Sequence, residues 1–420
     1  MLAGVAALAP QLVAPAPQDA VRTPVATGRV LLVDIDDVGY DLLVDTPTPT
    51  LDWIAAHGRA FTRFVTAPSC SPTRAMLMTG AHASHPDLLL GQIIAPKLRY
   101  RMPIGPLEPL AQAVADAGCT TAKIGKWHLA RRFETDHPHQ CGWQHYSGVL
   151  SNVTGSDEGY LCYEKIVNGS SSWVRDRYLT TDETDDAIEC VRAGFDLVSV
   201  SYHAPHRPWH VPPAHLHSIP DTTSERDQAR AMLQACDREL GRLVRVATAA
   251  GYTILVFSDN GTAVRIGGGK GSVHDDGVVV PFLAIGPGVA PGIDRELVSV
   301  VDLYDTTLEL LGVDATGPTR GPQSRSLVPA LAGRPLGRTF AYTERFQGLG
   351  EDPRASNGWW HRAVRGTRFK LCSIRTRTAL EISLYDVVAD PDEAVDLLAA
   401  PLSPDAMGAY RRLMAVLAGL

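Results

Sequence analysis

The sequence has no surplus of positive charge. Its 39 lysine and arginine residues are outnumbered by 46 aspartate and glutamate residues, and the formal net charge is −7 at pH 7. A broad basic surface of the kind that binds nucleic acid is therefore not expected. The sequence also lacks an internal repeat of about 20–50 residues and an unbroken apolar run long enough to span a membrane. With 45% hydrophobic and 20% charged residues, it can still bury a large core, which indicates a globular protein.

The most informative segment is 70–80, which reads CSPTRAMLMTG. Pro72 is typical of a first helical position and Gly80 of a helix end, so we predict a helix that begins at Pro72. Cys70 then lies just before the helix, where free N–H groups and the positive dipole end favour a bound anion. Arg74, one turn inside, adds a forked cation that suits a tetrahedral oxyanion. A buried cysteine in an ordinary helix is the alternative.

Two predicted strands end in pairs of oxygen-bearing side chains. The runs 30–35 and 253–257 have the apolar pattern of buried strands, interrupted in the first only by Asp34. The pairs that follow are Asp36 and Asp37 after the first run, and Asp259 and Asn260 after the second. Because open α/β sheets bind ligands beyond the carboxyl ends of their strands, the four side chains are expected to meet. They suit Ca²⁺ or Mg²⁺ rather than a soft metal, although each pair alone is also typical of a simple turn.

Three further segments carry cationic or titratable side chains. Lys126 and His128 lie two apart at the end of a predicted strand, so both can face one ligand. His206 follows the apolar run 197–202, and an imidazole titrates near the working pH of a general acid. Lys270 follows three glycines. An exposed lysine and a core histidine are the alternative readings of these positions.

Three other kinds of site do not fit the spacing of the sequence. Cysteine phosphatases need five residues between cysteine and arginine, and Met76 stands where that arginine would be. A P-loop is excluded because Val264 replaces its first glycine and Gly271 its serine or threonine. A group of histidines close in sequence could be read as a zinc cluster, but its spacings match no regular zinc pattern. These histidines are His203, His206, His210, His215 and His217.

Together the motifs resemble those of the type I sulfatases, which are formylglycine-dependent enzymes of the alkaline phosphatase superfamily. The resemblance runs from residue 30 to about residue 398 and includes Cys-x-Pro-x-Arg, Gly-Lys-Trp-His at 125–128 and Ala-Pro-His at 204–206. In this family a formylglycine-generating enzyme oxidises the motif cysteine to an aldehyde. The resemblance therefore implies that Cys70 becomes formylglycine. It also implies a bound Ca²⁺, with Mg²⁺ as the second choice, held by Asp36, Asp37, Asp259 and Asn260.

The resemblance also implies roles for the other site residues. Arg74, Lys126 and Lys270 would stabilise charge on the sulfate oxygens. His128 would lie beside the hydrated aldehyde, and His206 would protonate the leaving oxygen. Three positions depart from the family pattern and leave the shape of the substrate pocket open. They are Ala130 and Asp276, which each replace a glycine, and Val279, which replaces an arginine.

The predicted fold is α/β. Strand-like and helix-like runs alternate over 29–330, which predicts a catalytic domain with a large mixed, mostly parallel sheet flanked by helices. Over 331–420 the pattern changes to short strands at 339–343, 363–373 and 382–387, followed by a helix from Pro404 to about Leu417. This predicts a smaller C-terminal antiparallel sheet plus helix.

The predicted function is hydrolysis of a small-molecule or glycan sulfate ester, with a sulfated carbohydrate as the expected substrate. A phosphonate or phosphate diester hydrolase built on the same site and a non-catalytic binder of sulfated glycans are the alternatives. Residues 131–178 are expected to form the pocket rim. Trp209, Trp359 and Trp360 lie in predicted loops and could stack on sugar rings, with half-buried core aromatics as the alternative.

The N-terminus and the cysteines bear on the compartment. Residues 1–17 are uncharged and rich in Ala, Leu and Val, like the apolar part of a signal peptide, but no Lys or Arg precedes them. We expect residues 1–28 to be a signal peptide or disordered leader, and the protein to be periplasmic or secreted, with the cytoplasm as the alternative. If Cys70 is modified, six of the seven cysteines remain, which allows up to three disulfides or scattered free thiols.

Overall fold

The computed structural model describes residues 28–95, 100–153, 157–317 and 319–420, so nearly all of the predicted leader lies outside the described residues. The strands, in chain order, are β1 Val30–Ile35, β2 Arg59–Val65, β3 Thr121–Lys126, β4 His145–Val149, β5 Cys162–Val167, β6 Ser170–Arg175, β7 Leu197–Tyr202, β8 Thr253–Ser258, β9 Val279–Ile285, β10 Gly292–Asp294, β11 Val298–Ser299, β12 Ala341–Phe346, β13 Trp360–Arg365, β14 Phe369–Arg375 and β15 Leu380–Asp386. The α-helices are α1 Tyr40–Val44, α2 Pro49–His57, α3 Cys70–Thr79, α4 Leu110–Asp116, α5 His137–Gln140, α6 Leu179–Ala193, α7 Glu225–Ala249, α8 Asp275–Val278, α9 Asp302–Leu311, α10 Val328–Leu331 and α11 Pro404–Ala418.

The large sheet is mixed, as predicted. Its strand order is β10-β2-β9-β8-β1-β7-β3-β4-β5-β6, with β11 also paired to β2. The central strands β8, β1, β7, β3 and β4 are parallel to one another, and antiparallel pairing is confined to β9 and to the β5–β6 side. The prediction of a large, mostly parallel sheet is therefore confirmed.

Helices cover both faces of this sheet. Along β1, Val30 and Leu32 belong to one core cluster, while Leu31 and Val33 belong to another. Helices α3, α4 and α9 contribute to the first cluster, and α2, α6 and α7 to the second. Because successive strand residues point to opposite faces, a strand buried on both faces is apolar at nearly every position. This is why the runs 30–35, 197–202 and 253–257 could be identified as strands.

The helix that carries the cysteine motif begins earlier than predicted. Its first residue is Cys70, Ser69 is the N-cap, and Pro72 is the third helical residue. The N–H groups of the whole first turn have no partner within the helix, so a proline is tolerated anywhere in that turn and does not fix the helix start. The predicted end is confirmed, since Gly80 adopts φ 61° and donates its N–H to the carbonyl of Met76.

The C-terminal region folds as the predicted small antiparallel sheet plus helix. Strands β12–β15 pair in sequence order, and α11 packs on their apolar face through Leu413 and Leu417. The run 363–373, which its apolar pattern predicts as one strand, is a hairpin, as the resemblance of 362–370 to the C-terminal hairpin of the family implies. Gly366 donates its N–H to the carbonyl of Phe369 between β13 and β14. A turn this short leaves no break in the apolar pattern.

An ion-pair network joins this sheet to the main domain. The ammonium of Lys370 in β14 lies 2.8 Å from a carboxylate oxygen of Asp275 and 2.9 Å from one of Glu393. Arg365 reaches the same aspartate at 2.8 Å. Burial raises the pKa of Asp275, but Lys370 and Arg365 outweigh that effect and hold it below its ordinary value. The pairing therefore keeps a buried carboxylate ionised.

Replacing Lys370 with methionine should lower the free energy of unfolding by roughly 3–5 kcal/mol, because Glu393 and Asp275 each lose a buried cation and Asp275 keeps only Arg365. Chemical denaturation of the full chain would measure this. Arg368→Met is the matched control in the same hairpin, since Arg368 pairs with Asp386 while 55% of its side chain is exposed. That variant should change stability by at most about 1 kcal/mol; equal losses in the two variants would contradict the assignment.

Two other expectations concern the whole chain. All seven cysteines lie in the described residues, and all are free thiols, so the disulfides allowed by the sequence are not formed. Every helix in the described ranges is too short or too polar to cross a bilayer.

Candidate active site

The two strand-end pairs form one cluster. Strands β1 and β8 pair in parallel with Ile35 opposite Ser258, so the residues that follow emerge side by side. Asn260 Nδ2 lies 2.8 Å from Asp37 Oδ1, and the N–H of Asp37 donates to Asp259 Oδ1 at 3.1 Å. Asp36, Asp37, Asp259 and Asn260 are each at most 4% exposed. The register of two neighbouring strands thus brings together side chains more than 220 positions apart in sequence.

The donor set of this cluster fits a hard divalent cation. Asp36 Oδ1 and Asn260 Oδ1 are buried and have no hydrogen-bond partner. A buried polar oxygen without a partner is unfavourable, and a Ca²⁺ or Mg²⁺ ion would satisfy both. Ligand atoms of Asp36, Asp37 and His206 also lie within 4.8 Å of one another. The residues present therefore match the predicted metal site.

Cys70 lies in the first turn of α3 and faces His128. Its Sγ is 3.2 Å from His128 Nδ1, and the residue is completely buried. Burial raises the pKa of the Cys70 thiol, and Lys126 and Lys270 offset this only in part. A neutral thiol is a poor nucleophile, so Cys70 as an unmodified cysteine is unsuited to attack an ester.

Three buried cations connect the cysteine helix to the metal cluster. Arg74 lies 2.9 Å from Asp34, 3.4 Å from Asp259 and 3.7 Å from Asp36. The Lys126 ammonium pairs with Asp36 and the Lys270 ammonium with Asp37.

The cations control the ionisation of the metal-site carboxylates. Burial raises the pKa of Asp36, but Lys126, His206 and Lys270 outweigh it and hold the pKa well below its ordinary value. Burial disfavours the charge on Arg74, but Asp34 and Asp259 keep the pKa of that guanidinium above its ordinary value. The pocket therefore keeps Asp36 and Arg74 charged, whereas burial raises the pKa of Asp37 and raises that of Asp259 well above its ordinary value.

His206 is held by its own loop. Its Nδ1 lies 2.7 Å from the carbonyl oxygen of Arg207, which can only accept, so Nδ1 carries a proton and Nε2 remains available. The Tyr160 hydroxyl lies 2.9 and 2.6 Å from the carbonyl oxygens of His203 and His206, which fixes the loop behind the ring. Burial and then Lys126 lower the pKa of His206 well below its ordinary value.

The structure thus brings all ten predicted site residues into one pocket. The residues are Asp36, Asp37, Cys70, Arg74, Lys126, His128, His206, Asp259, Asn260 and Lys270. Two of them, Asp37 and His128, adopt left-handed backbone angles, with φ 65° and 58°. Such angles are strained for residues other than glycine and cluster at functional sites.

The histidine-rich segment is not a zinc site. His203 pairs through Nδ1 with Glu183 at 2.5 Å and through Nε2 with the carbonyl of Ser151 at 3.1 Å. His210 contacts the carbonyl of Pro208 at 3.0 Å. No potential metal-binding group among the described residues contains two histidines of this segment. These histidines instead hold the loop that presents His206.

Sequence reasoning missed a polar layer beneath the site. Asp34 supports Arg74, and it accepts a hydrogen bond from Ser201 at 3.2 Å, which in turn lies 2.5 Å from the Lys123 ammonium. Burial, then Arg74, lowers the pKa of Lys123 to about 7. Thr73 donates to the carbonyl of Asp259 at 2.8 Å. The lone Asp34 in an apolar strand was the available signal, because a buried carboxylate needs a partner.

The departures from the family motifs lie around the pocket and add no charged group that contacts the ten residues. Ala130 is buried just after the His128 segment, and Val279 is the first residue of β9. The carboxylate of Asp276 packs against Gly269, the residue before Lys270, where an added Cβ would lie only 2.3 Å from its oxygen. Asp276 therefore limits the space beneath the Lys270 loop.

Comparison with known proteins places the chain in a family. The Sulfatase family profile matches residues 30–313, more than half of the chain. Human arylsulfatase A is 29% identical over 332 residues, covering 68% of this chain and 64% of that enzyme, just under two thirds of its length. Pig N-acetylgalactosamine-6-sulfatase is 28% identical over 369 residues, covering 75% of this chain and 68% of that enzyme.

A solved structure shows the same fold. BT4656, determined in complex with its substrate D-glucosamine-2-N,6-O-disulfate, superposes with a TM-score of 0.73 at 19% sequence identity. The match covers 95% of this chain and 97% of that chain. The sequence match and the site geometry agree, and the chain belongs to the sulfatase family, whose named members here are sulfuric ester hydrolases.

Proposed function

We propose that the protein hydrolyses a sulfate ester of a carbohydrate, with an aldehyde made from Cys70 and a divalent cation held by Asp36, Asp37, Asp259 and Asn260. The single observation that carries the proposal is the convergence of Cys70, an oxygen-donor cluster, three cations and two histidines in one buried pocket. The carbohydrate is inferred from the relatives, which are named for N-acetylgalactosamine 6-sulfate and solved with a glucosamine disulfate.

The surroundings of Cys70 support its conversion to formylglycine. The thiol is buried and neutral, so it serves poorly as a nucleophile, whereas a hydrated aldehyde at the same position supplies a hydroxyl nucleophile and a second hydroxyl that can expel sulfate. The motif Cys-x-Pro-x-Arg is intact, so a formylglycine-generating enzyme is proposed as a transient partner.

The oxygen cluster supports Ca²⁺, with Mg²⁺ as the alternative. Four residues supply only carboxylate and amide oxygens, and two of those oxygens have no other partner. A cation bound there would act as a Lewis acid on the nucleophilic and sulfate oxygens. The set contains no cysteine, which argues against a soft metal.

The three cations are placed to stabilise charge on sulfate. Arg74, Lys126 and Lys270 are buried or nearly so and converge on the metal-site carboxylates. Preorganised positive groups in a site without water stabilise the transition state more strongly than they would in water. We assign Lys126 and Lys270 to direct contact with sulfate oxygens. Arg74 adds its positive charge to the same pocket and also fixes the cysteine helix against Asp34 and Asp259.

The two histidines have different surroundings and different proposed roles. His128 touches Cys70 and would help the sulfated intermediate collapse. His206 presents Nε2 beside Asp36 and Asp37 and would protonate the departing alcohol. Burial and Lys126 lower its pKa, but a sulfate group brings negative charge beside the ring and favours the protonated form.

Replacing His206 with alanine should slow turnover by roughly 10²–10⁴-fold for sugar sulfates, whose alcohols are poor leaving groups. The loss should be far smaller for an activated aryl sulfate, whose leaving group needs no proton. Steady-state kinetics on both substrates would measure the difference. The exposed His215 on the same segment provides the control, and His215→Ala should leave both rates unchanged. Equal losses on both substrates in His206→Ala would remove the general-acid role.

Competition between an aryl sulfate and an aryl phosphate diester tests the reaction class. The proposal expects the sulfate to be turned over faster, with release of inorganic sulfate. Faster turnover of the diester would instead identify a diester hydrolase on the same site. Binding of sulfated glycans without release of sulfate, together with an unmodified Cys70, would identify a non-catalytic binder.

A further inference from the structure

A cavity of about 450 Å³ lies on the C-terminal sheet. Its lining residues are Arg345, Gln347, Trp359, His361, Thr376 and Arg377. They come from the end of β12, the loop before β13, β13 itself and the turn after β14. None of them is among the ten residues of the active site.

The cavity adjoins the sulfate pocket through one arginine. The Arg345 guanidinium donates a hydrogen bond to the carbonyl of Gly271, the residue after Lys270. The N–H of Gly271 in turn donates to the carbonyl of Pro68 at 2.8 Å, two residues before Cys70. A ligand whose sulfate contacts Lys270 would therefore extend past the Gly271 backbone toward Arg345.

The two arginines of the cavity have no carboxylate partner in the part of the chain that the structure describes. Among the described residues, no carboxylate lies within ion-pair distance of Arg345 or Arg377, and Arg377 contacts only Gln347, at 3.4 Å. Burial lowers the pKa of the Arg345 guanidinium, and no acidic neighbour raises it. Burial and then Arg345 also lower the pKa of His361. Arg345 is half-buried, and a half-buried guanidinium without an anion is unfavourable unless a ligand supplies one, whereas Arg377 is exposed.

One tryptophan of the cavity is available to a ligand, whereas two others in the chain are not. Trp209 and Trp360 are buried and donate their indole N–H groups to Pro205 and Glu344 at 3.1 and 2.9 Å. Trp359 is only partly buried, and its indole N–H has no acceptor among the described residues. The Arg345 guanidinium lies 4.8 Å from the Trp359 ring centroid, which fixes the ring in place.

We propose that this cavity binds the sugar ring adjacent to the sulfated one, with the ring packed on Trp359 and an anionic substituent, a carboxylate or a second sulfate, held by Arg345 and Arg377. The inference rests on the proposed function and narrows the substrate to an anionic oligosaccharide. An indole offers a large apolar face with a polar edge, which matches a sugar ring, and arginine forks match carboxylate and sulfate oxygens. A simple aryl sulfate is too small to occupy the sulfate pocket and this cavity at the same time.

Kinetics of Trp359→Ala and Arg377→Gln on three substrates test this. The substrates are 4-nitrophenyl sulfate, a chondroitin disaccharide with a uronate beside the sulfated ring, and a monosulfated keratan disaccharide with a neutral neighbour. We expect kcat/KM for the uronate substrate to fall roughly 10–100-fold, mainly through KM. In a further arm with a fourth substrate, a disulfated keratan disaccharide should lose kcat/KM to the same extent as the uronate substrate. On 4-nitrophenyl sulfate both variants should stay within about twofold of the parent enzyme.

Controls and an independent readout keep the inference separate from the proposed function. Trp53→Ala, at a tryptophan 42% exposed on α2, and Arg411→Gln, at an exposed arginine on α11, should change no rate. Calorimetric titration of the same disaccharides into Cys70→Ala needs no turnover, and adding Trp359→Ala or Arg377→Gln should weaken uronate binding roughly tenfold or more. Affinity unchanged by either substitution, or equal kinetic losses on all substrates, would overturn the subsite. Binding that depends on Trp359 without any sulfate release would instead refute only the proposed hydrolysis.

Discussion

Replacing Cys70 with alanine is expected to reduce turnover of every sulfate ester by about 10⁶-fold, the scale of loss when a covalent nucleophile is removed from an enzyme. The residue lies 3.2 Å from His128 in a completely buried position, and no other cysteine contacts a residue of the site. The remaining buried cations would still bind sulfate, so the variant should keep substrate affinity while losing kcat. Steady-state kinetics and calorimetry on the same preparation would separate the two quantities.

Two companion measurements make this result specific to the aldehyde. Mass spectrometry of the Cys70 peptide, from cells able to form formylglycine, should show that sulfur and two hydrogens have been exchanged for one oxygen. Cys190→Ala removes another buried thiol, in α6, and should leave kcat unchanged. An active preparation in which residue 70 is entirely an unmodified thiol would contradict the mechanism, as would a Cys70→Ala variant with a tenth of the parent rate.

Chelation of divalent cations is expected to abolish turnover, and added Ca²⁺ should restore it more effectively than Mg²⁺. The cluster of Asp36, Asp37, Asp259 and Asn260 offers only oxygen ligands, in keeping with the preference of Ca²⁺ for several carboxylate and amide oxygens. Loss of groups that merely support metal ligands costs roughly 10–100-fold in affinity or activity. Asp259→Asn, which removes a charged ligand, should therefore lower kcat/KM by at least about 100-fold at a fixed Ca²⁺ concentration.

The readout for this variant is the Ca²⁺ concentration that gives half of the maximal rate. It should rise in Asp259→Asn, because the site has lost one negative charge, and higher Ca²⁺ should recover part of the rate. Asp259 also lies 3.4 Å from Arg74, and a purely structural effect of breaking that pair would lower the rate without changing the Ca²⁺ dependence. Asp294→Asn is the control, since Asp294 is a buried carboxylate paired with Arg59 at 3.3 Å, away from the site. Activity that survives exhaustive chelation would exclude the metal.

Most of the fold could be predicted from the spacing of apolar residues along the sequence. The strands 30–35, 197–202 and 253–257 are buried throughout and mostly apolar because both faces of the central sheet are covered. Helix α7 begins directly after Ser224, an N-cap whose hydroxyl accepts from the N–H of Asp227 at 3.1 Å, and serine is among the residues preferred at that position. The errors lie at local boundaries. The start of α3 and the turn between β13 and β14 are set by local hydrogen bonds. The apolar pattern of the sequence does not show where such bonds form.

The motifs named the ten residues of the pocket, because the chemistry of each side chain and its position after a strand or at a helix start are properties of the sequence. Their roles remain predictions that the experiments above would test. Other features became visible only in three dimensions. The support of Arg74 by Asp34 depends on which face of β1 packs against α3. The position of the Arg345 cavity next to the Lys270 segment depends on where the C-terminal sheet packs on the large sheet.

The sequence by itself therefore determined which elements form and which reactive groups follow them, since hydrophobic period and local turn chemistry act over a few residues. Only the tertiary structure decided which distant groups share a pocket, which of Trp209, Trp359 and Trp360 keeps a partly exposed indole, and which arginines lack a carboxylate partner. Those properties depend on strand register and on the packing of one region against another, and neither can be predicted from a short stretch of sequence.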